Sequence, residues 1–117
     1  MGKGNFILVL IKSNPLKNHR PVEAIRIALG LASGEHPVQI VLMDQAPLLL
    51  AQESEDLVDG ELLPKFLPTF KEWGQTFYVE EESWKALKLD KTEYQVVPIS
   101  MSQIAKLLQQ ASRFMIF

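Results

Sequence analysis

The sequence predicts an α/β protein: a three-layer α/β/α sandwich built on a five-stranded parallel sheet. Two observations carry that expectation. Phe6 to Ile11, FILVLI, is an unbroken apolar run with β-branched residues at Ile7, Val9 and Ile11. A strand with one wet face alternates, so such a run reads as a strand buried on both faces, near the middle of its sheet. Strand-like runs then alternate with helical patterns to the end of the chain, which is the order of a parallel sheet with crossover connections.

Taken in order, strands are expected near 6–11, 37–43, 75–80, 94–98 and 113–117. After the first strand comes a polar loop, Lys12 to His19, and then a helix over 21–33. Pro21 suits its first turn, and Gly34 is placed to end it in a left-handed conformation. Its apolar arc takes in Val22, Ala24, Ile25, Ile27, Ala28, Leu29, Leu31 and Ala32. That is wider than packing on a sheet requires, so either a neighbouring element or another subunit covers the excess. Asp44, at the end of the second strand, is a candidate cap for a short helix through Gln45 to Pro47. The acidic stretch of Glu53, Glu55, Asp56, Asp59 and Glu61 lacks the spacing and turn glycine of an EF-hand and reads as a solvated loop.

A helical pattern over 62–73 is interrupted by Pro64, which suits a first turn, and Pro68, which implies a kink or a later start. Gly74 ends it. Phe66, Phe70 and Trp73 form an apolar run expected to help build an oligomer interface. Glu81, Glu82 and Ser83 start a short helix with acids at its positive end, and Trp84 and Leu87 would face the sheet. Ser100 and Gln103 form a capping box for a last helix that reaches Ala111.

With 117 residues, the chain is expected to be one domain over 1–117. Its net charge is −2 and its charges are interspersed, so it has no basic field for direct nucleic-acid or membrane binding. There is no cysteine, which excludes disulfides, thiolate catalysis and thiolate metal sites in this chain. FILVLI is too short for a secretory h-region, Phe6 stands where a myristoylation signal needs Ser or Thr, and no run spans a bilayer. The expectation is a soluble cytoplasmic protein.

In open parallel sheets, ligands bind beyond the carboxyl ends of the strands. Lys12, Ser13 and Asn14, then Asp44, then Glu80 and Glu81, then Ser100 and Phe117 fall there. Lys12, His19 and Arg20 beside a helix start are a candidate anion site, against a plainer reading as surface charge. No Walker motif and no G-x-G-x-x-G occur, so no nucleotide cofactor is expected. His19 and His36 lack metal-ligand spacing. Ser13, Ser83 and Ser100 have no nucleophile elbow, and turn or capping roles account for them. A receiver domain would need an acidic pair where Lys12-Ser13-Asn14 stand.

The whole pattern resembles the DsrE/DsrF-like family of sulfur-relay proteins, whose architecture is flavodoxin-like. The resemblance runs through FILVLI, EAIRIALGLA, VQIVLMDQA with Asp44, LPTFKEWG, FYVEEESWKAL, the proline-ended strand at Pro98 and the closing RFMIF. It implies persulfide chemistry in active members, where a cysteine at the end of the third strand accepts sulfane sulfur and passes it on. The matching position here is at about Glu80, and a carboxylate cannot do this chemistry. The closest likeness is therefore to cysteine-poor subunits of the TusC and DsrF kind, which assemble with cysteine-bearing ones. The resemblance implies a non-catalytic subunit in a homo-oligomer, or in a hetero-oligomer with DsrE-like chains, and no cofactor. Two alternatives stand beside it: a small-anion-binding module using Lys12, Ser13, His19 and Arg20, and an acid/base enzyme using Glu80, Glu81 or Asp44.

Overall fold

In the computed structural model, which describes residues 5–51, 56–89 and 92–117, the strands are β1 (Ile7–Ile11), β2 (Val38–Leu42), β3 (Thr76–Glu80), β4 (Gln95–Ile99) and β5 (Arg113–Ile116). The helices are α1 (Arg20–Ser33), α2 (Leu63–Glu72), α3 (Glu81–Leu87) and α4 (Met101–Gln110), with 3-10 turns at Ala46–Leu50 and Gly60–Leu62. The five strands form one sheet in the order β4-β3-β2-β1-β5, and every pairing is parallel. FILVLI is thus an interior strand, and Leu8, Val9 and Ile11 are fully buried, as an unalternating run requires.

The chain steps outward from β1 through β2 and β3 to β4, then returns past β1 to place β5 on the far side. This reversal sorts the helices into layers. Val9, Ile11, Ile40, Leu42, Phe77 and Val79 pack against α1, α2 and the turn at 46–50, with Trp84 of α3 beside them. Leu8, Leu10 and Val41 alternate to the other face and meet Ile104 and Ala111, at and just past α4. The second face thus has one helix, and residues toward its rims stay bare: Phe114 is 55% exposed, Ile116 42% and Val97 39%.

Local chemistry explains the helix ends. Ser100 and Gln103 form the expected reciprocal box, with the Gln103 amide donating to Ser100 Oγ at 3.2 Å and the Ser100 amide to Gln103 Oε1 at 2.8 Å. Gly74 takes a positive φ of 69° after α2. At the end of α1 the left-handed residue is Glu35, with φ 66°, rather than Gly34. The Glu35 and His36 amides donate back to the Ala32 and Leu31 carbonyls, a Schellman arrangement that places the turn one residue later. Pro68 lies inside α2, which starts at Leu63 and carries through it.

Two other expectations are corrected, for Asp44 and for Phe70. Asp44 does not cap the 46–50 turn, which Gln45 precedes without any side-chain bond; Asp44 instead takes a left-handed φ of 58° that turns the chain. The wide apolar arc of α1 is covered in part by a neighbouring element: α2 packs on it and Val22, Ala24, Ile25 and Ala28 are buried, while Ile27, Leu29, Leu31 and Ala32 are half-buried. Phe70 is likewise core, set edge-on to Phe77 at 5.7 Å, which leaves Trp73 as the exposed member of its run. The acidic loop is docked where it is described: Leu57 is buried, and the Val58 amide donates to the Pro15 carbonyl at 2.8 Å. Glu53 and Glu55 lie outside the described residues.

Candidate functional site

Two polar clusters stand at the carboxyl ends of the strands. The first follows β3, where strand passes directly into helix at Glu80–Glu81. A helix that begins at once has unpaired amides, and Glu80 turns its carboxylate onto them. The Glu82 amide donates to Oε2 at 2.7 Å, and the Ser83 amide to Oε1 at 3.3 Å. The Ser83 hydroxyl donates to Oε1 at 2.6 Å and accepts the Asp44 amide at 2.9 Å. One serine therefore links the end of β2 to the end of β3. Glu80 is only 7% exposed, and Ser83 is buried with it. Burial alone would push the Glu80 carboxyl up, yet the Ser83 hydroxyl and the two amides outweigh it and hold the group below its ordinary value.

The second cluster follows β1, at the point where the strand order reverses. The Lys12 and Ser13 amides both donate to the Phe117 carbonyl oxygen, at 2.8 and 3.2 Å. Arg20 Nη2 donates to the Ile116 carbonyl at 3.2 Å, and its guanidinium lies 5.9 Å from the centre of the Phe117 ring. Of the side chains that the sequence offered for an anion, Arg20 thus has one N–H on the chain's own last strand, beside the backbone amides of Lys12 and Ser13. His19 precedes α1 with no side-chain capping bond, and its side chain is exposed. Lys12 is exposed as well.

The fold brings Glu80 and Asp44 into one cluster through Ser83, and Lys12, Ser13 and Arg20 into the other. The weight of Ser83 was missed from the sequence, where it reads as an ordinary first-turn serine. Its one legible signal is its place three residues after Glu80, the spacing that lets a side chain meet a cap. Chemically, the Glu80 cluster is a sealed capping network. Its carboxylate has a depressed pKa, which makes it a weak base, and the Ser83 hydroxyl is spent on its two bonds. Among the described residues, no group of three or more His, Asp or Glu side chains is placed to hold a metal ion.

An open parallel sheet with helices on both faces and a polar strand-to-helix junction after its third strand defines an α/β domain with its candidate site at the carboxyl ends of the strands. The model of the DsrE/DsrF-like family matches residues 6–117, and the chain belongs to that family. Among solved structures, the ychN protein from E. coli superposes with a TM-score of 0.77 at 12% identity, covering 97% of this chain and 100% of that one. At that identity the likeness speaks for the fold. No curated protein matches the chain.

Proposed function

We propose that the chain is a non-catalytic, oligomerising subunit of a sulfur-relay assembly, supporting persulfide transfer by cysteine-bearing partners in the cytoplasm. The observation that carries this reading is the end of β3. A relay protein needs an accessible thiolate that can accept and release a sulfur atom. This chain has no cysteine, and the junction that the family resemblance assigns to the thiolate holds Glu80, sealed by three donated hydrogen bonds. The bare rims of the second sheet face support assembly, because Phe114, Ile116 and Val97 offer apolar surface for a second chain. A biological interface there would bury above roughly 1,000 Å². Among the described residues, no helix is long and apolar enough to cross a membrane.

The anion-binding alternative has less support, because Arg20 and the Lys12 and Ser13 amides already hold Ile116 and Phe117. The acid/base alternative would need a carboxylate free to take a proton, and Glu80 is pinned in its ionised form. The test incubates the chain with a labelled sulfane donor and reads intact mass under non-reducing conditions. The wild type is expected to gain no sulfur. Glu80→Cys is expected to gain one, since the same three donors would favour a thiolate. A stable sulfur adduct on the wild type would overturn the reading, and an inert Glu80→Cys that is shown to be folded would remove Glu80 from the relay position.

A further inference from the structure

A cavity of about 390 Å³ opens at the amino ends of β1 and β5, the end of the sheet opposite Glu80. Its origin is topological. Arg113 and Met115 pair with Ile7 and Val9, so they share the face that carries α1. That helix sits over β1 and β2, which among the described residues leaves the amino end of the edge strand β5 open on this side. The last turn of α1 contributes Leu31 as a wall, and the lead into β2 contributes His36. The volume is within the range of small-molecule sites, which are mostly apolar with a few polar groups that fix orientation.

The lining divides into a hydrocarbon body and a donor end. Ile7, Leu31, Pro37 and Met115 supply the body, and Asn5, His36, Ser112 and Arg113 the polar groups, while Phe6 turns its ring to the opposite face of the sheet; no carboxylate is among the lining residues. The Ser112 hydroxyl is already bonded to the Phe6 carbonyl at 2.9 Å. The chain's other two arginines are occupied: Arg26 pairs with Glu23, and Arg20 holds the Ile116 carbonyl. Arg113 has no ion pair among the described residues, and no acid lines the cavity beside it. Arg113 is exposed at the rim of this hollow, and a guanidinium there matches a planar carboxylate through paired N–H bonds, whereas a bare inorganic anion would leave the hydrocarbon walls unfilled.

The geometry points to this cavity as a binding site for a small monocarboxylate with an apolar body, its carboxylate on Arg113 and its hydrocarbon against Ile7, Leu31 and Met115. The site does not depend on the relay reading, since it shares no residue with the Glu80 cluster. The test titrates the full, isotope-labelled chain with phenylacetate and follows backbone amide shifts. Parallel titrations use the neutral phenylacetamide and inorganic phosphate. Saturable shifts are expected at Ile7, His36, Ser112 and Arg113 with phenylacetate. Binding should be weaker by about tenfold or more with phenylacetamide and in Arg113→Ala, the loss of one charge-assisted contact. Leu31→Trp, which fills the cavity and keeps the guanidinium, should abolish it, and amide dispersion reports whether each variant is folded. No saturation with phenylacetate, shifts centred elsewhere, equal binding of the amide or of phosphate, or an unaffected folded Arg113→Ala would each overturn the assignment.

Discussion

Helices α1 and α2 and the 46–50 turn close over Val9, Ile40 and Phe77, whereas the opposite face of the same strands meets α4 alone. Over β1, β2 and β3 the first face is finished by the chain itself: its large side chains there, Phe77 and the Phe70 that packs on it among them, are fully buried. The second is finished only at its middle, with Leu8, Leu10 and Val41 under Ile104, while Val97 on β4 and Phe114 and Ile116 on β5 stay bare. The cause is the order of connections. The three connections that lead from β1 out to β4 contribute to the first layer, and only the return to β5 crosses to the second. The comparison teaches where stability and association should separate. Substitutions in the first layer act on the single chain, and those on the rims of the second act on its assembly.

The largest effect that would sharpen this contrast is at Phe70. Phe70→Ala should cost about 3–5 kcal/mol, read by denaturant unfolding, because a fully buried ring leaves a cavity that its neighbours only partly refill. A loss below about 1 kcal/mol would mean that the first layer is more plastic than its burial suggests.

Glu80 lies between the two layers: β3 alternates it to the side of Tyr78, while its carboxylate holds the start of α3. Glu80→Ala should keep the fold and cost about 1–2 kcal/mol near neutral pH, the range of a lost helix cap. Its folded pKa is depressed, so the stability it contributes is fully present above the ordinary carboxyl value and is lost as pH falls through the folded value. The gap between wild type and Glu80→Ala should therefore close on acidification. A gap that is constant or widening with acid would break the assignment of Glu80 as an ionised cap.

The smallest effect on the isolated chain is expected at the second face. Phe114→Ser should change unfolding stability by no more than about 0.5 kcal/mol, because the ring is 55% exposed. The same change should weaken self-association, or capture of a DsrE-like partner, in sedimentation at matched concentrations. If Phe114→Ser leaves assembly untouched, the bare rim is not the interface. A wild type that stays monomeric at high micromolar concentration would leave only the version with a different partner chain.

Much of the fold was written locally. The unalternating FILVLI, the proline at the head of α1 and the Ser100–Gln103 box each act within a few residues, so composition and spacing alone placed the strands and most helix ends to within a residue or so. The acidic start of α3 at Glu81 and Glu82 was visible for the same reason, since an acid at a strand-to-helix junction needs only the next turn to act. What only the tertiary structure decided depends on residues far apart in the chain. Which residues of the α1 arc a neighbouring helix buries could be assigned only once α1 and α2 lay on one face. Ser83 became a tie between β2 and β3 because the Asp44 amide, 39 residues away, reaches its hydroxyl. Arg20 has a second partner that no local pattern shows, the Ile116 carbonyl 96 residues away. A sequence pattern records which face a residue presents and what it can bond; the strand order decides who stands opposite, and burial then sets whether that bond is sealed or open to a ligand.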